Sequence, residues 1–202
     1  MKTDLLTTSE EDIVKSALSL KQGHIVVFPT DTVYGIGVNA FDGNAIEALY
    51  GAKMRPREKG IPILISDANV LPRVMSGEVP PAIQQLIDAH WPGPLTLILP
   101  RHPDLPDNIS PNDGIAIRIP DHDAARDLIR QAGGALATSS ANISSTEPAL
   151  NGQMAFDALQ GRVAIVLEGG NVRHALSSTI IDCRYDPPKL VRPGPVEWPP
   201  ST

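Results

Sequence analysis

The chain has 202 residues, 42% of them hydrophobic and 4% aromatic, with a formal charge of −6 and a single cysteine, Cys183. That length and apolar content are enough for one domain burying roughly 70% of the surface its unfolded form would expose, expected to span residues 1–202 with a core over about 10–196. The acidic balance argues against a surface that grips a nucleic-acid backbone all over, a lone cysteine makes no internal disulfide, no apolar run approaches the ~18 residues of a membrane span, and the polar, helix-like start points to a cytoplasmic protein without a leader.

Ser9 followed by Glu10, Glu11 and Asp12 marks a helix start, and Ile13, Val14, Ala17 and Leu18 give it an apolar stripe that stops at Gly23, which predicts a helix over residues 9–22. Ile25–Phe28 then reads as a strand buried on both faces. Pro29, Thr30, Asp31 and Thr32 follow, with Tyr34 and Gly35-Ile36-Gly37 behind them. These are hydroxyls and a carboxylate where backbone can approach a ligand closely, or equally a turn satisfying its own amides. Gly35-Ile36-Gly37-Val38-Asn39-Ala40 imitates a dinucleotide-binding pattern, but it stands away from the strand and Asp42-Gly43 breaks the helix it should open, so it is read as a decoy.

A helical pattern over Asn44–Met54 leads into Lys53, Arg55, Arg57 and Lys59, interrupted by Pro56 and opposed by Glu58 alone. Such a cluster suits a polyphosphate, since fixed cations neutralise charge that develops on a transferring phosphoryl group and arginine offers a fork to two oxygens. It is also what a solvated loop at a helix end carries. Further buried strands are predicted at Ile61–Ile65, Leu95–Leu99, Ile115–Ile119, Ala135–Thr138, Val163–Leu167 and Thr179–Cys183, with helices over Pro81–Ala89, Asp121–Ala132 and Gln153–Leu159. This alternation implies an α/β fold, a twisted open mixed sheet with flanking helices. Polar loops at strand ends are the expected site: Pro29–Thr32, Thr138–Asn142 and Arg192–Pro195.

Arg118 interrupts the run Ile115–Ile119, and alternation turns it to the face opposite the three isoleucines. A charge so placed needs a partner, either a protein carboxylate or a ligand carboxylate. Ser139, Ser140 and Asn142 lack the Gly-x-Ser-x-Gly elbow and a motif tying a histidine to a serine, so they fit recognition better than attack. Asp121 is read as a helix N-cap, and no ligand spacing predicts a protein-held metal. Without a Walker sequence, a nucleotide site has to be built from Lys53, Arg55, the Ser139–Asn142 loop and Arg192.

Seven segments in order, Pro29–Gly37, Lys53-x-Arg55-Pro56, Trp91–Thr96, Ile117–Pro120, Ser139–Asn142, Ser178–Ile181 and Arg192–Pro195, resemble the YrdC-like threonylcarbamoyl-AMP synthases over about residues 10–196. The resemblance implies a YrdC-like fold with a basic-lined cavity, and the conversion of L-threonine, bicarbonate and ATP to threonylcarbamoyl-adenylate and pyrophosphate for tRNA threonylcarbamoyladenosine. It places Thr32, Arg118, Thr138 and Ser178 around threonine, and Arg55, Lys59, Gly114, Ser140, Asn142 and Arg192 around the nucleotide. Lys53 and Arg55 become the catalytic phosphate cations, with Mg2+ arriving on ATP. Downstream tRNA threonylcarbamoyl transferase proteins are implied as partners, and tRNA itself stays open as a direct one. The chain resembles the short form of the family. It departs from the common pattern at Lys59, where relatives carry Asn, at Leu64, where they carry His, and in a longer Ser144–Pro148 loop without glycine. The competing reading is a double-stranded RNA or tRNA-binding module of the same fold, as in ribosome maturation, which the net charge and the scarcity of aromatic platforms disfavour.

Overall fold

The protein is described by a computed structural model for residues 2–173 and 176–198. Ten strands form one sheet among these residues: β1 Asp4–Thr7, β2 Val26–Phe28, β3 Gly35–Asn39, β4 Ile63–Ile65, β5 Leu95–Pro100, β6 Gly114–Arg118, β7 Ala135–Ser140, β8 Ile165–Glu168, β9 Thr179–Asp182 and β10 Lys189–Arg192. Their spatial order is β1-β8-β2-β3-β7-β4-β6-β5-β9-β10. The pairs β1/β8, β2/β8, β4/β6 and β5/β9 are parallel, and the rest antiparallel, so the sheet is mixed as the sequence predicts. The helices are α1 Glu10–Lys21, α2 Gly43–Lys53, α3 Leu71–Val74, α4 Pro81–His90, α5 Asp123–Gln131 and α6 Gly152–Leu159.

Local chemistry sets the helix ends. The Ser9 hydroxyl caps α1 by accepting from Asp12 N, and Asp42 caps α2 through Asn44 N and Ala45 N. On α5 the cap is the His122 ring, which accepts from Ala125 N, so the expected role of Asp121 passes to its neighbour. Asp121 instead meets Arg126 and Arg173.

Both faces of the sheet are covered around β2, β8, β7 and β4, where the strands read as apolar runs. Val26 and Phe28 of β2 join α1 and α5 in a cluster with Ile13, Ala17, Leu20, Leu128 and Ile129. Val27, between them, faces the larger cluster under α2, α4 and α6, with Ile46, Leu49, Ile87 and Leu159.

Three strands depart from the sequence reading. β1 precedes the helix where a polar, helix-like start is expected, and pairs in parallel with β8. β3 occupies the supposed dinucleotide decoy, and its glycines have a packing reason. A Cβ on Gly35 would stand 3.0 Å from Thr138 Cγ2 and 3.3 Å from Phe28, and one on Gly37 would stand 3.0 Å from Thr138 Oγ1. Glycine at both positions lets β3 pass close beneath Thr138 and Phe28 without crowding them. β10 runs directly into the segment expected to be a loop around Arg192.

After β10 the chain crosses over the start of β9 with no clearance. A Cβ on Gly194 would lie 2.5 Å from Thr179 N and 2.7 Å from Ser177 O, both backbone atoms that cannot turn aside. Gly194→Ala is therefore expected to cost about 1–3 kcal/mol, read as a lowered denaturation midpoint, and to displace Arg192 with the crossing.

Candidate functional site

Pairing register brings side chains from distant strands into one row on one face of the sheet. Leu64 of β4 lies opposite Arg118 of β6. Leu97 of β5 opposes Ile117, which puts Thr96 across from Arg118. Thr96 opposes Ile180 of β9, and Ile180 opposes Arg192 of β10. With Thr138 and Ser140 of β7, Thr30, and Thr32 to Gly35, this row lines an open cavity of about 190 Å³ that also includes Arg55, Pro62, Ser139, Ser177 and Ser178. The site is thus built jointly from one row across the sheet and from the expected polar segments at the strand ends, Thr32 reaching the central Arg118.

Arg118 is 5% exposed and Asp31 0%. Arg118 Nη2 donates to Asp31 Oδ1 at 2.7 Å, and Nη1 donates to Thr32 Oγ1 at 2.8 Å. The protein carboxylate is therefore present, and Arg118 nevertheless faces the cavity. Arg118 Nε and Asp31 Oδ2 are both buried without a partner. Burial lowers the Arg118 guanidinium from its ordinary value, Asp31 opposes that shift, and Arg192 adds to it. Thr30 Oγ1 gives its proton to the Val33 carbonyl at 2.6 Å, so in its 3.1 Å contact with Thr32 the Thr32 hydroxyl donates.

Arg55 follows α2 and bends back: Nε donates to Lys59 O at 2.9 Å, Nη2 to Gly60 O at 2.7 Å, and Nη1 reaches Ser139 Oγ at 3.5 Å. Arg192 donates from Nε and Nη2 to Ser178 O at 3.0 and 2.8 Å. Neither arginine has a carboxylate partner among the described residues, and burial lowers both guanidinium groups. The cavity lining contains no Asp or Glu. Two uncompensated cations and a central compensated one therefore face a hydroxyl-rich wall, an arrangement suited to a ligand with several oxyanions.

Other expected site residues are placed elsewhere. Lys53 is 1% exposed, and its ammonium donates to Ser140 O at 2.5 Å, to Asn142 O at 2.6 Å and to Asn142 Oδ1 at 3.3 Å. Its donors are all used inside the protein, so it holds the Ser139–Asn142 loop in place and does not reach the cavity as a phosphate cation. Asn142 is likewise turned inward, its amide donating to Ile143 O at 3.0 Å and Thr146 O at 2.6 Å. Arg57 is paired with Glu47 of α2, not with Glu58. Lys59 is exposed and outside the lining. Gly114 stands at the far end of β6 from Arg118, where the Arg184 guanidinium would be 2.6 Å from an added Cβ. Asp182 and Asp113 neutralise that guanidinium at 2.7 and 2.6 Å. Thr32, Arg55, Arg118, Thr138, Ser140, Ser178 and Arg192 are the expected residues that the cavity does bring together. Leu64, marked in the sequence as the departure from the family's His, does line the cavity, whereas sequence reasoning gave no part to Thr96 or Ile180, because an apolar residue or a threonine inside a strand carries no outward mark of a site. Among the described residues no cluster of three or more His, Cys, Asp or Glu could hold a metal.

The chain matches the Sua5/YciO/YrdC family model, described as telomere recombination, over residues 19–194, and belongs to that family. It is 38% identical over 197 residues to a threonylcarbamoyl-AMP synthase of Bacillus subtilis, covering 95% of this chain and 56% of the relative. It is 37% identical over 176 residues to a threonylcarbamoyl-AMP synthase of Pyrococcus abyssi, covering 87% and 52%. A crystal structure of P. abyssi Sua5 complexed with L-threonine superposes with a TM-score of 0.90 at 34% identity, over 96% of this chain and 58% of that one. The chain thus spans about half the length of these relatives.

Lys53 is held protonated at a buried site. Burial, and then the Arg55 guanidinium, lower its ammonium from 10.5 to about 8. Below that value both folded and unfolded chains carry the proton, and above it the unfolded chain binds more, so stability is expected to rise as pH climbs from about 8 towards 10. Lys53→Ala should abolish this rise and cost about 1–3 kcal/mol for each carbonyl left without a donor. Urea unfolding at pH 7, 8 and 9.5 measures both, and a variant as stable as the parent would remove the assigned role.

Proposed function

We propose that the protein is an L-threonylcarbamoyladenylate synthase, a nucleotidyltransferase that makes threonylcarbamoyl-AMP and pyrophosphate from L-threonine, bicarbonate and ATP for tRNA modification. The observation that carries this reading is the convergence of Arg55, Arg118 and Arg192 on one hydroxyl-lined cavity without a carboxylate in its wall. The relatives' names and the threonine-bound P. abyssi structure support it.

In this reading the threonine carboxylate meets Arg118, and Thr32, Thr138 and Ser178 surround the amino acid. Arg55 and Arg192 take the phosphates, beside Ser140. Threonine's amine combines with bicarbonate to give a carbamate and water. A carbamate oxygen then attacks the α-phosphorus, forming the new P–O bond as the bond to the β-phosphate oxygen breaks and pyrophosphate leaves. No lining residue is a nucleophile or a general base, so the chain's contribution is to align two anions and stabilise the departing charge. Mg2+ would come on ATP, since the wall has no carboxylate to hold it. Downstream tRNA threonylcarbamoyl transferase proteins would take up the product, in the cytoplasm. Among the described residues, no helix is long and apolar enough to cross a membrane.

The basic run offers an RNA-binding module less free charge than its sequence suggests, because Lys53 is buried and Arg57 is paired with Glu47. Mass spectrometry of the product from ATP, bicarbonate and threonine, with pyrophosphate release followed with and without threonine, tests the enzyme reading directly. Threonine-dependent release and the mass of the mixed anhydride are expected, and threonine-independent release would refute it.

Arg55→Ala should lower synthesis at least about tenfold while the protein stays folded, through the loss of a charge-assisted phosphate contact. Arg118→Lys keeps a cation for Asp31 but loses the planar fork. Calorimetric titration of that variant should show threonine binding weakened and ATP binding largely retained. Equal weakening of both ligands with a lowered melting temperature would make Arg118 a structural residue only.

A further inference from the structure

Thr96 lies in the in-register row between Arg118 and Ile180, is 4% exposed and lines the cavity. Its Oγ1 stands 2.7 Å from Ser178 Oγ. Arg192 reaches the same serine from β10, donating to its carbonyl and, from Nη2, to its hydroxyl oxygen at 3.2 Å. The seat is rigid. Thr179 N donates to Pro94 O at 2.9 Å, Thr179 Oγ1 exchanges hydrogen bonds of 2.8 and 2.9 Å with Val196 O and N, and Gly194 packs on the Ser177–Thr179 backbone.

Ser178 Oγ accepts from Arg192, and one of the two hydroxyl protons of the Thr96–Ser178 pair is used between them. The other has no protein acceptor among the described residues, whichever oxygen donates. A hydroxyl proton facing an arginine-lined cavity finds its acceptor in an oxyanion, and its position at the end of a chain that starts on a guanidinium strengthens it as a donor.

We propose that Thr96 is a positioning residue: it holds the Ser178 hydroxyl so that the pair offers one O–H to a ligand oxyanion, and it fixes the serine on which Arg192 is seated. Amino acid and polyphosphate are then read by one hydrogen-bonded unit, and loss of the Thr96 hydroxyl weakens both. The identity of the two ligands rests on the function proposed above, whereas the role of Thr96 rests on the geometry.

The experiment compares the wild type with Thr96→Val, which keeps the shape without the hydroxyl, and Thr96→Ser, which keeps the hydroxyl. Two quantities are read: affinity for inorganic pyrophosphate by calorimetry, and KM for L-threonine in pyrophosphate release. Valine should weaken both by about fivefold to tenfold, the effect of one net hydrogen bond, and serine should restore both. A merely space-filling Thr96 would leave both unchanged in the valine variant. An unchanged value for either ligand, or a folded serine variant that fails to restore them, overturns the proposal. If valine does not fold, Thr96→Ala is read in the same way. If the wild type shows no threonine-dependent release, the synthase reading falls, and the pyrophosphate titration alone decides the role of Thr96.

Discussion

The buried pair between Asp31 and Arg118, 2.7 Å apart, fixes the centre of the site. Asp31 follows β2 and Arg118 ends β6, and β3, β7 and β4 lie between those strands. The pair therefore ties the two halves of the sheet together across three intervening strands. Breaking a buried pair by removing one partner typically costs about 3–5 kcal/mol. The same pairing settles how the cavity divides its work. With its charge compensated, Arg118 contributes a fixed set of donors, and the uncompensated charge comes from Arg55 and Arg192 at the margins. The centre is thus suited to selecting shape and hydrogen-bond pattern, and the margins to attracting negative charge.

A second constraint acts from behind the wall. The Lys53 ammonium draws the carbonyls of Ser140 and Asn142 towards itself, while Ala141 N is bound to Tyr34 O and Asn142 N to Ser140 O. Ser140 Oγ donates to Asn142 Oδ1 at 2.5 Å. Those main-chain groups and that hydroxyl proton are occupied within the protein. The nearest free hydroxyl proton of this loop belongs to Ser139, whose oxygen is approached by Arg55. A buried cation so used makes the loop a stiff surface with little freedom to remodel around a ligand.

These two cases show why some of the site was legible in the sequence and some was not. Arg118 could be singled out because one charge inside an apolar strand is a local anomaly, visible without knowing its partner. Lys53 and Arg57 looked like ligand cations because their partners are invisible locally: Ser140 is 87 residues from Lys53, and Glu47 lies on the helix preceding Arg57 at no helical neighbour spacing. The strands told the same story. β4 to β9 each bury apolar residues in the core and read as apolar runs. β1 and β10 are edges with polar or exposed residues, and β3 is shaped by two glycines whose reason, the closeness of Thr138 and Phe28, exists only after folding. Thr96 left no mark because threonine is at home in strands.

The two ends of the cavity differ in rigidity, and that difference bears on how ligands would enter. Arg118 belongs to an inner strand flanked by β4 and β5, with core on its other face. Arg192 belongs to β10, an edge strand whose four residues are all exposed. Edge segments with little burial open locally at a lower free energy than central strands. β10 is held on one side only, by its ladder with β9, by the Arg192 hydrogen bonds to Ser178, and by the crossing at Gly194 with the Thr179–Val196 bonds behind it. A ligand oxyanion at Arg192 meets a side chain at the edge of the sheet, whose guanidinium is directed by Ser178. A group at Arg118 has to fit a geometry already fixed by Asp31 and Thr32. The cavity thus joins a preorganised end to a compliant one through Ser178, the residue that Arg192 holds from one side and Thr96 from the other.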